Sequence, residues 1–287
     1  MTITARIIAD STGPSAPRLT TFELRYPRFI HAEVMTHRVF SRNASSSRAI
    51  PVKKLIEDVL TDPAMPIHWG KNQKGMQAEH ELSPEEIKKA KYRWLEARDE
   101  ACFVARDLDE LGAHKQIVNR ILEPFSHITV TVTATEWANF FALRCHPDAQ
   151  PEIRALADCM WDAMQASVPA HLGYGQWHLP YVRQEEKQDT RLATHDLIKM
   201  SVARCARTSY LTHDKQEPKI EQDLDLYYRL VGSEPLHASP AEHQACPDFW
   251  DATAKVWRAP EQHGNLVGWI QYRKTLVNEN QTYFQKG

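Results

Sequence analysis

Apolar and polar positions alternate with period two through Thr21, Phe22, Glu23, Leu24, Arg25 and Tyr26, which predicts a strand over residues 19–25. A second strand is expected over 2–9, and the Ser, Gly and Pro residues between Ser11 and Pro17 predict a loop joining the two. The run His127, Ile128, Thr129, Val130, Thr131, Val132, Thr133 alternates in the same way and is rich in β-branched residues, which predicts a third strand. Helical spacing is clearest after Ser83. That serine suits an N-cap, Pro84 suits the first helical position, and Glu86 completes a capping box. Ile87, Trp94, Leu95, Ala101, Val104, Leu108 and Leu111 then recur at helical spacing, and Gly112 closes the helix.

Further helices are expected over about 135–144, 149–167, 195–206 and 220–232, with shorter ones near 241–257. Residues 51–82 read as a short helix followed by irregular chain, and 171–180 as irregular. There is no internal repeat, low-complexity tract or linker. The order predicts one α+β domain over residues 1–287, a mixed sheet with packed helices and a helical insertion around 83–112.

Composition changes this picture little. Of the 287 residues 42% are hydrophobic and 25% charged, enough for a substantial core. A formal net charge of −2 argues against a partner such as polymeric nucleic acid, so any anion site must be a local cluster. The five cysteines are scattered, with no Cys-x-x-Cys pair, which argues against a disulfide framework and a zinc ribbon. The opening residues lack a basic segment followed by an apolar one, and no run approaches membrane-spanning length, so no membrane association and a cytoplasmic location are expected.

One segment concentrates chemistry. Between His37 and Ala49 lie one imidazole, three guanidiniums (Arg38, Arg42, Arg48), four serine hydroxyls and the Asn43 carboxamide, with no acidic side chain. Planar bidentate donors beside short hydroxyl donors suit recognition of phosphate. An exposed Ser/Arg loop that binds nothing would have the same composition. Ser46 lacks the Gly-x-Ser-x-Gly setting of a hydrolase nucleophile. His237 and His243 have no evident third ligand nearby, so no metal site is expected. Arg144 and Arg154 have a plain reading as cations at helix ends, and Cys145 with His146 reads as structural.

The spacing of His37, Arg38, Ser41, Asn43, Ser46 and Arg48 resembles the signature of flavin-dependent thymidylate synthases: Arg-His-Arg, two residues, Ser, one, Asn-Glu, one, Ser, one, Arg-Tyr. Phe22, Pro27 and Phe29 precede it at the family's distance. Downstream, Arg120 to Pro124, Asn139 to Arg144 and Ala149 to Arg154 resemble three further family segments. A block that normally comes first, Ala-Arg-x-Ser followed by His-x-Ser/Thr-Pro-x-Glu-His, is matched near the C-terminus by Ala206 to Ser209 and by His237, Ser239, Pro240, Glu242 and His243. The order resembles a circular permutation, with a motif half over about 1–170 and the permuted block over about 195–245.

The resemblance implies methylation at C5 of dUMP to give dTMP, with hydride from reduced FAD and with 5,10-methylenetetrahydrofolate and NADPH as co-substrates. It places His37, Arg38, Asn43, Asn139, His237, Ser239 and Glu242 at the flavin, and Glu33, Ser46, Ser47, Arg48, Arg120 and Arg144 at the nucleotide. Arg144 and Arg38 would be the catalytic cations, with Arg144 polarising the pyrimidine carbonyl. It also implies a homotetramer with sites shared between subunits, Arg120 reaching the nucleotide from a neighbour. Thr36, Ala44, Ala49 and Glu33 depart from the family's Arg, Glu, Tyr and Gln. Those departures keep open a C5 hydroxymethylase acting on dUMP or dCMP, and a flavin- or nucleotide-binding relative without activity.

Overall fold

Two strands whose apolar positions all point one way need a partner for the other face. In the computed structural model, which describes residues 3–210, 219–233, 236–277 and 279–280, both faces of the central sheet are covered. The sheet has the order β3-β4-β2-β1-β5, with β1 at Thr4–Thr12, β2 at Leu19–Pro27, β3 at Ser41–Ala44, β4 at His127–Ala134 and β5 at Ala170–His171. All neighbours pair antiparallel except β1 and β5. Phe22, Leu24 and Tyr26 of β2 and Ile128, Val130, Val132 and Ala134 of β4 share the apolar face. Against it pack α5 (Ala138–Arg144) and α6 (Pro151–Ala166), through Phe140, Phe141, Ile153, Leu156 and Met160. Full burial of each such side chain contributes about 1.5–3 kcal/mol.

The opposite face carries hydroxyls. Thr21, Thr131 and Thr133 are fully buried there, so each needs a hydrogen-bond partner. His178 supplies one bridge, its Nδ1 2.8 Å from Ser11 Oγ and its Nε2 2.8 Å from Thr21 Oγ1. Thr21 Oγ1 lies 2.7 Å from Thr133 Oγ1, which in turn lies 2.8 Å from His243 Nδ1. One continuous chain of hydrogen bonds thus crosses three strands. Thr131 Oγ1 meets Tyr181 Oη at 2.8 Å and Thr208 Oγ1 at 2.9 Å. This face is roofed by α8 (Thr194–Tyr210), by a 3₁₀ turn at Ser239–Glu242 and by Trp269.

The helical insertion forms a core of its own. Helices α2 (Val52–Thr61), α3 (Pro84–Glu110) and α4 (Lys115–Leu122) bury Leu55, Ile56, Val59, Ala101, Cys102, Ala105, Val118 and Leu122 together. The expected capping box is present: Ser83 Oγ accepts from Glu86 N–H, and Ser83 N–H donates to the Glu86 carboxylate at 2.9 Å. Gly112, at φ 80°, ends this helix as expected. Two short helices, α1 (His31–Met35) and α7 (Gln184–Gln188), complete the set with α9 (Ile220–Val231). Arg204 of α8 ties three helices together, donating to Glu186 at 2.6 and 2.7 Å and to the fully buried Asp223 at 2.8 Å.

Residues 241–257, expected to be helical, are not. After the 3₁₀ turn the chain forms β6 (Ala245–Pro247), paired with β9 (Trp269–Gln271), and a ribbon of β7 (Trp250–Asp251) with β8 (Val256–Trp257). Pro247 removes a helical N–H, and pairing with a distant strand decides the conformation there. The helix α4 lies in a stretch to which the sequence pattern assigned no element.

His178 and His243 are neutral, burial holding both near a pKa of about 3. The unfolded chain takes up protons on these rings below about pH 6.5, whereas the folded chain does not. Their stabilising contribution is therefore complete above about pH 6.5 and is lost as pH falls toward 3, at about 1.4 kcal/mol per pH unit for each ring. Urea unfolding midpoints at pH 7, 6 and 5 should drop accordingly, and a His178→Gln/His243→Gln double variant should show a flatter profile. An unchanged slope in that variant would discount the two rings as the source.

Candidate active site

The serine- and arginine-rich segment surrounds β3, the edge strand. Antiparallel pairing sets Ser41 opposite Thr133, Asn43 opposite Thr131 and Ala44 opposite Val130. Residues before β3 therefore meet residues after β4, and residues after β3 meet those before β4. Each end of the motif acquires a distinct set of neighbours in this way.

At the first end His37 is buried between Phe40 and Phe140, whose ring centroids lie 5.7 and 4.9 Å away. Arg144, in the last turn of α5, donates from Nε to His37 Nε2 at 2.9 Å and from Nη2 to Thr36 Oγ1 at 3.3 Å. An accepting Nε2 puts the ring proton on Nδ1. Burial lowers the His37 pKa, and the charges of Arg144 and Arg42 lower it further. The ring is thus a neutral acceptor that aims a guanidinium. Arg42 closes the turn, donating to the carbonyls of Met35 at 2.9 Å and His37 at 3.3 Å. Glu33 lies on α1, and its Oε2 is buried with no hydrogen-bond partner.

At the second end the chain turns through Ser45 to Ile50. Ser45 N–H donates to Thr129 O at 2.8 Å, and Asn119 Nδ2 donates to the carbonyls of Ser47 (2.7 Å) and Ile50 (2.9 Å), which pins the loop from behind. Ser47 Oγ donates to Glu123 Oε1 at 2.6 Å, and Arg120 Nη1 reaches the same oxygen at 3.2 Å. Ser46 is half-buried and Arg48 exposed on the outer side.

The C-terminal segment holds β3 from the polar face. Asn43 Nδ2 donates to Cys205 O at 3.2 Å, Ser41 Oγ donates to Asn265 Oδ1 at 3.1 Å, and Asn265 Nδ2 donates to Val39 O at 2.8 Å. The Ser239–Glu242 turn packs against β3, and Glu242 forms an ion pair with Arg273. Arg38, Arg48, Asn139, His237 and Ser239 are exposed, and their side chains make no hydrogen bond or ion pair among the described residues. His243 is different, being committed to Thr133 inside the protein. Among the described residues no group of three His, Cys, Asp or Glu is placed to hold a metal, and no helix is long and apolar enough to cross a membrane.

The family model described as thymidylate synthase complementing protein matches residues 17–170, more than half of the chain. This chain belongs to that family. The matched span contains both ends of the motif, Arg120, Asn139 and Arg144, whereas the His237 to Glu242 segment lies outside it. Among solved structures, the chain is similar to a UMP/dUMP methylase PolB from Streptomyces cacaoi bound with 5-Br dUMP, at 18% identity over 57% of this chain and 90% of that one, with a TM-score of 0.48. The same methylase bound with 5-Br UMP gives 19% identity, 57% and 88% coverage and a TM-score of 0.49. The flavin dependent thymidylate synthase ThyX from Helicobacter pylori, complexed with FAD and dUMP, gives 18%, coverage of 51% and 67%, and a TM-score of 0.34. No curated protein sequence matches the chain.

One expectation is corrected within this family member. A lone chain was expected to leave the Arg120 and Arg144 segments without the facing motif loop, yet within one chain Arg144 meets His37 and Thr36, and Arg120 shares the Glu123 carboxylate with Ser47. The reason is the β3–β4 register, which sets α4 and α5 at the two ends of β3. Sequence reasoning also passed over Glu123, Asn119, Arg28 and Arg273, and it counted Arg42 only among the phosphate-binding cations. Arg120 and Glu123 stand at helical i,i+3 spacing, a signal that could have been read. Arg273 carried no local signal at all.

Replacing Arg144 by Gln removes the positive charge beside His37 and should raise the pKa of that ring. Titration of the His37 resonance by NMR in both proteins, assigned with a His37→Gln variant, checks this. An unmoved or lowered value would mean that Arg144 does not act on the ring in solution.

Proposed function

We propose that this protein is a flavin-dependent enzyme that adds a one-carbon unit to C5 of a pyrimidine deoxynucleoside monophosphate, in the first instance methylating dUMP to dTMP. The observation that carries the reading is the family membership together with the placement of the motif. One strand of four residues, roughly 13 Å long, separates a guanidinium held by a neutral histidine from a loop of hydroxyls and arginines. Methylenetetrahydrofolate supplies the carbon and leaves as tetrahydrofolate, and NADPH supplies the reducing electrons. The flavin, when bound, supplies hydride chemistry at the pyrimidine ring.

The residues present fit such a group. Among the described residues Arg38, Asn139, His237 and Ser239 are exposed polar groups with no side-chain partner, and Glu33 Oε2 is buried without one. Arg38, His37, Asn43, Asn139, His237, Ser239 and Glu242 would hold the flavin. In this reading Ser46, Ser47 and Arg48 hold the phosphate, with Arg120 beside them. Arg144 faces the pyrimidine carbonyl, where a fixed cation stabilises negative charge as it develops on the ring. His37 keeps that cation aimed without competing for it. Residues 195–245 act as the permuted counterpart of the family's leading block, which the packing of α8 against β3 and β4 and of the Ser239–Glu242 turn against β3 supports.

A Glu33 oxygen without a partner accepts from a uracil N3–H or from a cytosine amine, so base choice is part of the test. Purified protein incubated with methylenetetrahydrofolate, NADPH and either dUMP or dCMP should turn dUMP into a product heavier by one CH₂. A product heavier by CH₂O would identify a hydroxymethylase, and no product from either nucleotide, with FAD bound, would reduce the protein to a binding relative.

The active assembly is a homotetramer. Met35 on α1, Val39 in the motif turn and Leu143 on α5 are exposed large apolar side chains at the motif, as expected of a face that a second copy covers. Mass photometry should return four chains per particle; a monomer at micromolar concentration would remove the shared-site part of this reading.

A further inference from the structure

The loop that would take the phosphate already faces an anion. Glu123, in the 3₁₀ turn after α4, accepts from Ser47 Oγ at 2.6 Å and from Arg120 Nη1 at 3.2 Å, and its Oε1 lies 4.0 Å from Arg28 Nη1. Its side chain is 23% exposed, so the carboxylate sits at the rim of the loop and not behind it. Arg28 is the more enclosed of its two guanidinium partners, with 14% side-chain exposure against 60% for Arg120. It donates to Ser45 O at 3.1 Å and has a buried Nε with no partner. Burial lowers its pKa, and Glu123 is the largest influence opposing that shift. One carboxylate therefore gathers a hydroxyl and two guanidiniums, the donor set that a phosphate monoester would draw on.

We propose that Glu123 is an internal stand-in for the nucleotide phosphate and a specificity-determining residue of this site. The inference rests on the reading that the Ser46–Arg48 loop takes the phosphate. Glu123 keeps Ser47, Arg28 and Arg120 turned toward one point before the nucleotide arrives. The arriving phosphate takes over Ser47 Oγ and Arg120, while the exposed guanidinium of Arg48 closes on it from outside. Preorganisation and competition act together. The carboxylate orders the donors, and its charge opposes an anion placed a few ångströms away. Affinity for the monophosphate is therefore held below what the donors alone would give, whereas a nucleoside, which carries no charge there, is indifferent to Glu123.

The experiment is calorimetric binding of dUMP and of deoxyuridine to the full-length flavin-loaded protein, as wild type and as Glu123→Gln. Glutamine keeps one oxygen for Ser47, removes the charge and exchanges the second oxygen for an NH₂ donor. The variant should bind dUMP about three- to tenfold more tightly at low salt, with the gain shrinking at 0.5 M salt and deoxyuridine unchanged. Arg120→Gln, at an exposed side chain, leaves Glu123 less neutralised and should weaken dUMP at least about fivefold with no effect on deoxyuridine. Wild-type protein that binds dUMP, beside a Glu123→Gln variant that binds it equally or more weakly, overturns the proposal alone. So does an Arg120→Gln variant with unchanged dUMP affinity, which keeps the test valid should the glutamine variant not fold. Wild-type protein with no measurable affinity for dUMP overturns the nucleotide reading and this proposal with it.

Discussion

The antiparallel pairing of β3 with β4 is the constraint on which the rest of the site depends. Because Asn43 stands opposite Thr131, the chain leaving β4 runs back past the start of β3, and the chain entering β4 passes its end. Arg144 is thereby delivered to His37 and Glu123 to Ser47, across sequence separations of 107 and 76 residues. A slip of one residue would turn Ser41 and Asn43 onto the apolar face and break both meetings at once. Register is strongly specified here because both faces of the sheet are buried and each accepts only one kind of side chain.

Those two faces are held by different physics. The apolar face is a packing problem, solved by α5 and α6 with Phe, Ile, Leu and Met side chains. The hydroxyl face is a hydrogen-bonding problem, solved by two imidazoles kept neutral by burial and by the Tyr181 and Thr208 hydroxyls. A half-satisfied polar layer would be worse than an apolar one, so this face demands a roof that supplies partners for the Thr21, Thr131 and Thr133 hydroxyls. The Arg204, Glu186 and Asp223 network serves that roof by fixing α8 relative to α7 and α9. Breaking one partner of such a buried group leaves an uncompensated charge, commonly at about 3–5 kcal/mol.

Around β3 the charge distribution is uneven, and function follows from that. Arg144 is oriented by a neutral ring and by the Thr36 hydroxyl, so its positive charge is not consumed by an ion pair. A second arginine in place of Thr36 would set two guanidiniums against each other, and the hydroxyl avoids that repulsion. At the loop the balance is reversed, with Glu123 drawing on Arg120 and Arg28, and with Arg48 exposed and without an ion pair among the described residues. One strand thus separates a cation kept available from cations kept in check.

Much of this was legible in the sequence. Period-two alternation located β2 and β4, the Ser83 capping box located the start of α3, and the spacing of His37, Arg38, Asn43, Ser46 and Arg48 marked the family motif around β3, because each signal lies within a few residues of chain. The tertiary structure alone decided that residues 245–271 form strand pairs, that His243 points into the sheet, and that one chain brings Arg120 and Arg144 to the motif. It also decided that Glu123 answers Ser47. These outcomes depend on which distant segment lies alongside, and a residue's own neighbours in sequence carry no record of that. Local pattern determined the elements and the inventory of functional groups, whereas strand register determined which of those groups meet.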